Sequence, residues 1–205
     1  MGIKKGVGLN FAAYKTGIVK SSGLNFAADD NGGGGIPYLL SDGNVYLFPF
    51  ESLSSVQISK IEIDCAVDSS FFEVNQNGLF GYYRSSNLYG IFYNSIMGKY
   101  GYYNGNQNSP ITVFTKTADR QLLTINISTE MYETSYPLFA KRSFSSNTYS
   151  PVKAKIYSAK FYDTNGDVII DLVPKVENGV ASLYDNVREL FLTVQGSGSF
   201  TYGEE

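Results

Sequence analysis

The sequence predicts an all-β protein: one large sandwich preceded by an extended N-terminal arm. Three observations carry this expectation. Short segments that alternate apolar and polar residues recur at roughly ten-residue spacing, the pattern of a sandwich or barrel. No window sustains the 3.6-residue period of a long helix. The chain holds 17 Tyr and 14 Phe, residue types that suit a pleated, half-buried surface. A length of 205 residues is enough for one such domain with a sizeable core.

The arm comes first. GLNFAA occurs at Gly8–Ala13 and again at Gly23–Ala28, and DDNGGGG follows at Asp29–Gly35. Four successive glycines carry too much backbone entropy for a packed element. Residues 1–35 therefore read as an arm ending in a linker, and residues 36–205 as the domain. Leu9, Phe11, Leu24 and Phe26 are candidate anchors on a neighbouring surface; two edge strands of the same domain, or a disordered segment, are the alternatives.

The domain begins with NVYLFPF (Asn44–Phe50), after the turn signal at Ser41–Gly43. VQISKIEIDCAV (Val56–Val67) alternates, but the step from Ile58 to Ile61 breaks the period, as a bulge does. FFEV (Phe71–Val74) reads as a strand leading into a hairpin signal at Asn77-Gly78. LFGYYR, LYGIFYN and KYGYYNG are three aromatic strands within Leu79–Gly105. ITVFTKT, QLLTINIST and PLFAKR follow, and SFSSNTYSP reads as a loop. VKAKIYSAKFYD (Val152–Asp163) alternates with Val152, Ala154 and Ile156 on one face. A turn at Asn165-Gly166, then DVIIDLVP, ASLYDN, ELFLTV and a short strand around Phe200 complete the pattern.

Composition excludes several functions. A net charge of −3 with 17% charged residues is not the footprint of a nucleic-acid binder. No run of 18 apolar residues occurs, so no membrane span is expected. The first residues lack the continuous apolar stretch of a signal peptide, so ordinary secretion is not expected. With no histidine, neither a His-based triad nor a His-ligated zinc site is available, and no cofactor is expected. The single cysteine, Cys65, sits in an alternating strand and reads as a buried side chain.

The most unusual feature is the tyrosine cluster between Tyr82 and Tyr103. Successive side chains on a strand point to opposite faces, so in each Tyr-Tyr pair one ring must lie outside the core. Tyr83, Tyr89, Tyr93 and Tyr103, with Asn104 and Asn106 beside them, are the candidate contact surface for a glycan or a protein. Local packing is the third reading. Asp163, Asn165 and Asp167 imitate the start of a calcium loop, but the twelfth position holds Pro174 instead of a glutamate, so the segment reads as a hairpin turn.

The stretch Ile156–Phe200 resembles a known family. Ile156, Tyr157, Lys160, Phe161, Tyr162 and Asp163, then Asp171–Pro174, then Leu183, Tyr184 and Asp185, and finally Phe191, Gly196, Gly198 and Phe200 are similar to the end of concanavalin A-like and laminin-G-like domains. The similarity is greatest to versions in bacteriophage structural proteins and in surface proteins of gut bacteria. The chain departs from the pattern at VASLYD, where a glycine or valine usually precedes the Leu-Tyr-Asp unit. The resemblance implies a concanavalin A-like jelly-roll sandwich of two antiparallel sheets. It implies a non-catalytic virion protein: a head fibre, capsid decoration or tail-associated adhesin with a lectin-like domain. Its partners would be further copies of itself, as a trimer, other virion proteins and a host surface glycan. A bacterial surface carbohydrate-binding module is the alternative. A glucanase is weaker, because the E-x-D-x-x-E strand of such enzymes is matched only by Glu62, Asp64 and the displaced Asp68, and no tryptophan is present.

Overall fold

The computed structural model describes residues 38–53, 55–133 and 135–203, with the side chains of all of these except 55 and 128–133. Leu9, Phe11, Leu24, Phe26 and the linker Asp29–Gly35 lie outside the described residues.

The larger sheet has eight strands. Three long ones form its spine: β8 (Gln121–Glu133), β3 (Ser55–Val67) and β11 (Lys153–Tyr162), each antiparallel to the next. The far edge of β11 then forks. Its first half pairs with β1 (Tyr38–Asp42), through Leu39↔Ile156, and its second half pairs with β12 (Val168–Glu177), through Ala159↔Leu172. Beyond β1 lies β16 (Thr201–Gly203); beyond β12 lie β13 (Val180–Asp185) and β14 (Leu190–Phe191). The smaller sheet runs β10 (Thr148–Pro151), β9 (Ala140–Ser143), β4 (Asn77–Arg84), β5 (Asn87–Asn94), β6 (Lys99–Asn104), β7 (Thr112–Val113). A third ladder joins β2 (Val45–Tyr46) to β15 (Gln195–Gly196).

This architecture corrects the expectation of a two-sheet antiparallel jelly roll. The fold is all-β, but it has three sheets, and β9 runs parallel to β4 through Tyr82↔Arg142 and Tyr83↔Ser143. The cause lies in the segment before β9. Leu138 bridges both Leu47 and Phe80, and Phe139 is held at a φ of 67° while its N–H donates to the Leu79 carbonyl. The chain therefore leaves the larger sheet and enters the smaller one alongside β4 in the same direction.

The inner faces of the two large sheets share one core. Ile61, Ile63, Cys65, Leu123, Ile125, Ile156, Phe161, Ile170, Leu172 and Leu183 meet Phe80, Ile91, Tyr93, Tyr100 and Tyr102 from the opposite sheet. Fully burying one such aliphatic or aromatic side chain stabilises the fold by about 1.5–3 kcal/mol. The broken alternation in β3 is a bulge: the register with β8 shifts between Ile58 and Lys60, which returns Ile61 to the inner face. Phe71–Val74 is not a strand. Asp68 caps a 3-10 turn over Ser69–Phe72, accepting from the Ser70 N–H, and Asn77-Gly78 opens β4 without a hairpin. The β4–β5 turn is instead Ser85-Ser86, both at positive φ, 47° and 68°, which matches the twist of the strands it joins.

Gly81 and Gly90 face each other across β4 and β5, at φ of 122° and 128°. A Cβ on Gly81 would lie 2.0 Å from the Tyr89 carbonyl oxygen, and one on Gly90 2.1 Å from that of Phe80. Only glycine fits either position. Gly101 is under the same constraint, its Cβ position lying 2.2 Å from the Thr112 carbonyl oxygen.

Candidate functional site

The residues expected to form a contact surface do not form one face. Tyr93 is 4% exposed in the inter-sheet core; its hydroxyl accepts from Lys116 Nζ at 2.9 Å, and that ammonium stands 4.7 Å from the ring centre. Tyr103 points the other way. It is fully buried with Leu88 and Phe92 in a second small cluster that Tyr83 flanks, and its hydroxyl donates to the Lys99 carbonyl. Burial raises the Tyr103 hydroxyl to about 12. Tyr89 stacks on Tyr82 at 4.6 Å and is paired across the sheet with the exposed Asn104. Asn106 is exposed, and its side chain closes its own loop by accepting from the Asn108 N–H. Only Tyr89 and Asn104 are brought together where a partner can reach them.

The carboxylates considered for catalysis are occupied. Glu62 accepts from the Tyr162 hydroxyl and pairs with Lys60 at 2.6 Å. The Lys60 ammonium first, then the Tyr162 hydroxyl, hold its carboxyl below the usual glutamate range. Asp64 takes a two-pronged bond from Arg120, at 3.0 and 2.8 Å. Asp163 accepts the N–H groups of Asn165 and Asp167, so this segment is a hairpin turn. Among the described residues no group of three or more acidic or cysteine side chains is placed to hold a metal ion. Cys65 is buried at 1% exposure, and desolvation pushes its thiol far above the ordinary range, away from the reactive thiolate.

A concave feature of the described residues lies elsewhere, on the outer face of the larger sheet. A cleft of about 660 Å³ opens where β1, the end of β3 and the start of β11 meet the loop Ala118–Arg120. Alternation explains the lining. Ala154 and Ile156 of β11 face the core, so Lys153 and Lys155 face outward; Leu39 is buried, so Leu40 and Asp42 are presented outward. Tyr157 follows the same alternation onto that side, and the register break between Ile156 and Ser158 then returns Ala159 and Phe161 to the core.

Leu40, Ala66 and Ala118 supply apolar surface, and charged groups form the rim. Asp42, Asp68, Arg120 and Lys155 are each held by a neighbour. Asp42 accepts from the Asn44 side-chain amide and the Asn44 N–H; Asp68 accepts from the Ser70 hydroxyl and N–H. In both, these hydrogen bonds outweigh desolvation and hold the carboxyl below the usual aspartate range, with Lys153 adding to the effect. The Arg120 guanidinium lies 3.7 Å over the Tyr157 ring while it grips Asp64. Tyr157 in turn packs against Tyr38, 5.7 Å away, which carries Lys155 at 4.2 Å. The cleft thus offers donors, acceptors and an apolar floor on strands that cannot shift far.

The sequence held a signal for this site in the second phase of Val152–Asp163, where Lys153, Lys155 and Tyr157 alternate with the core residues. Nothing local pointed to Asp42, which the fork sets beside β11, or to Arg120, which reaches Tyr157 from the opposite edge over Asp64 of β3. Comparison with protein-family models, curated proteins and solved structures found nothing that matches this chain.

Proposed function

We propose that this chain is a non-catalytic attachment module of a virus particle, and that it holds a surface saccharide in the cleft between β1, β3 and β11. The observation that carries the reading is the cleft itself. Asp42 and Asp68 stand immediately beside Lys153 at an apolar floor, and Arg120 and Tyr157, stacked on each other, complete the lining. A sugar presents both hydroxyl donors and acceptors beside apolar C–H faces, and such a lining answers all three. The non-catalytic part is supported by the carboxylates: Glu62, Asp42 and Asp68 are all held ionised, whereas a glycosidase needs one carboxyl kept protonated near neutral pH. The virion part rests on the resemblance of Ile156–Phe200 to phage structural proteins.

The test is a glycan array probed with the full chain, followed by calorimetry on any ligand found. Lys153→Ala and Tyr157→Ala are expected to weaken binding about tenfold each, the loss of one charge-assisted hydrogen bond or of one wall of the site. Binding that both variants leave intact would refute the cleft, and release of shortened glycan would refute the non-catalytic reading. Absence of the protein from purified particles would refute the virion assignment.

A further inference from the structure

Charge is segregated between the two large sheets. No Asp or Glu occurs between Glu73 and Asp119, and none between Glu133 and Asp163. Those two stretches supply all six strands of the smaller sheet, which therefore carries Arg84, Lys99, Lys141 and Arg142 and not one carboxylate. This happens in a chain whose net charge is −3.

Two of these cations converge on one exposed ring. Phe144 is 41% exposed; the Arg84 guanidinium carbon lies 4.7 Å and that of Arg142 5.1 Å from its ring centre. Behind Phe144 stands Tyr82 at 5.9 Å, itself stacked on Tyr89 and met edge-on by Tyr136 at 5.0 Å. Arg142 is oriented by neutral acceptors, the Asn147 side-chain oxygen and the Ser135 hydroxyl, which fix the guanidinium without cancelling its charge. Neither arginine forms an ion pair among the described residues. The surrounding turns, Ser85–Asn87 and Ser145–Asn147, are neutral and exposed.

We infer that this end of the smaller sheet, Arg84, Arg142 and Phe144 with the Tyr82–Tyr89 stack, is a second docking surface, and that it takes a uronate-bearing polysaccharide. Guanidinium forks fit carboxylates in two-pronged geometry. The exposed Phe144 ring gives a pyranose ring an apolar platform, which a linear phosphate chain cannot use. The absence of carboxylates from the whole sheet removes the repulsion that an acidic chain would meet elsewhere on the protein. The surface lies on the opposite sheet from the cleft and does not depend on it.

The experiment uses the full chain with polygalacturonate, neutral dextran and inorganic polyphosphate as probes, in low and in 0.5 M salt as a chosen condition, about half a molar, to screen exposed charges. Polygalacturonate is expected to bind, dextran not, and polyphosphate at least tenfold more weakly, about the contribution of the ring platform. Arg84→Ala with Phe144→Ala is expected to cost about tenfold or more while leaving the melting temperature nearly unchanged; Lys99→Ala, at the opposite end of the sheet, is expected to cost less than about twofold. Three results would overturn the inference: polyphosphate binding as tightly as polygalacturonate, Lys99→Ala losing as much as the double variant, or binding that survives the double variant but falls with Lys153→Ala. The last would move the site to the cleft.

Discussion

The hydroxyl of Tyr100 is buried with no hydrogen-bond partner among the described residues. Phe71, Phe72 and Phe114 surround its ring, all with centroids within 5.5 Å, so the hydroxyl oxygen has exchanged water for hydrocarbon. An unpaired buried hydroxyl costs more than the deleted atom returns in packing. Tyr100→Phe is expected to leave stability unchanged or raise it by about 1 kcal/mol, read from the urea midpoint. Glu62 behaves oppositely, because its partners favour the charged form. Its folded-state pKa is depressed, so on acidification the unfolded chain takes up the proton first. The stabilisation is complete above the ordinary glutamate value of 4.5 and is lost as pH falls through the folded value. The same hydrogen bond raises Tyr162 to about 12, against 10 for a free tyrosine. The unfolded chain then ionises first in base, and that stabilisation is present below pH 10 and lost as pH rises towards 12. Urea midpoints measured from pH 3 to pH 12, chosen to bracket both limbs (roughly the span of carboxyl and phenol titration), should show Glu62→Gln shallower than the parent at each end.

At the scale of elements, the turn between β13 and β14 is a clamp. Asp185 is fully buried, bonded to Arg188 and to the N–H groups of Asp171 and Val187. Arg188 then donates to the carbonyls of Glu51 and Pro49, each at 2.6 Å, and so ties the segment after β2 to the far edge of the larger sheet. Asp185→Ala would strand a guanidinium that is only 14% exposed, and is expected to cost about 3–5 kcal/mol by urea unfolding. The sequence showed Asp185 as a letter in a motif and was silent on its work, because its partner's acceptors lie 137 and 139 residues away. The same division holds elsewhere. The β3 bulge was legible because apolar period and backbone register are the same fact. The 3-10 turn at Ser69–Phe72 was not, because Phe71 and Phe72 favour strands until Asp68 caps them otherwise. The parallel entry of β9 was hidden because it depends on Leu138 meeting Leu47 and Phe80, both distant in sequence. The tyrosine cluster was legible in part for a related reason: two opposed ring faces were foreseen, but not that Tyr103 packs with Leu88 and Phe92.

At the scale of the whole molecule, the two sheets divide the chemistry. The larger one pairs its outward charges, Lys60 with Glu62, Arg120 with Asp64 and Lys160 with Asp171. The six strands of the smaller one contain no carboxylate to pair with their four cations. The fork in β11 has a further consequence. Because β1 lies between β11 and β16, Tyr38 is directly opposite Gly203, so the first and last described residues are neighbours on one edge. Residues 38–203 thus almost close into a ring. A linker of about three glycines between Gly203 and Tyr38 should suffice, since opposed residues in an antiparallel pair are about 5 Å apart. New ends opened at the exposed Ser145–Ser146 turn would give a circular permutant of residues 38–203. In that permutant the β1–β16 pairing, the most distant in the natural order, becomes a local hairpin. Lower contact order shortens the search for the native topology, so the permutant is expected to refold faster than the parent in stopped-flow mixing, with the cleft between β1, β3 and β11 intact.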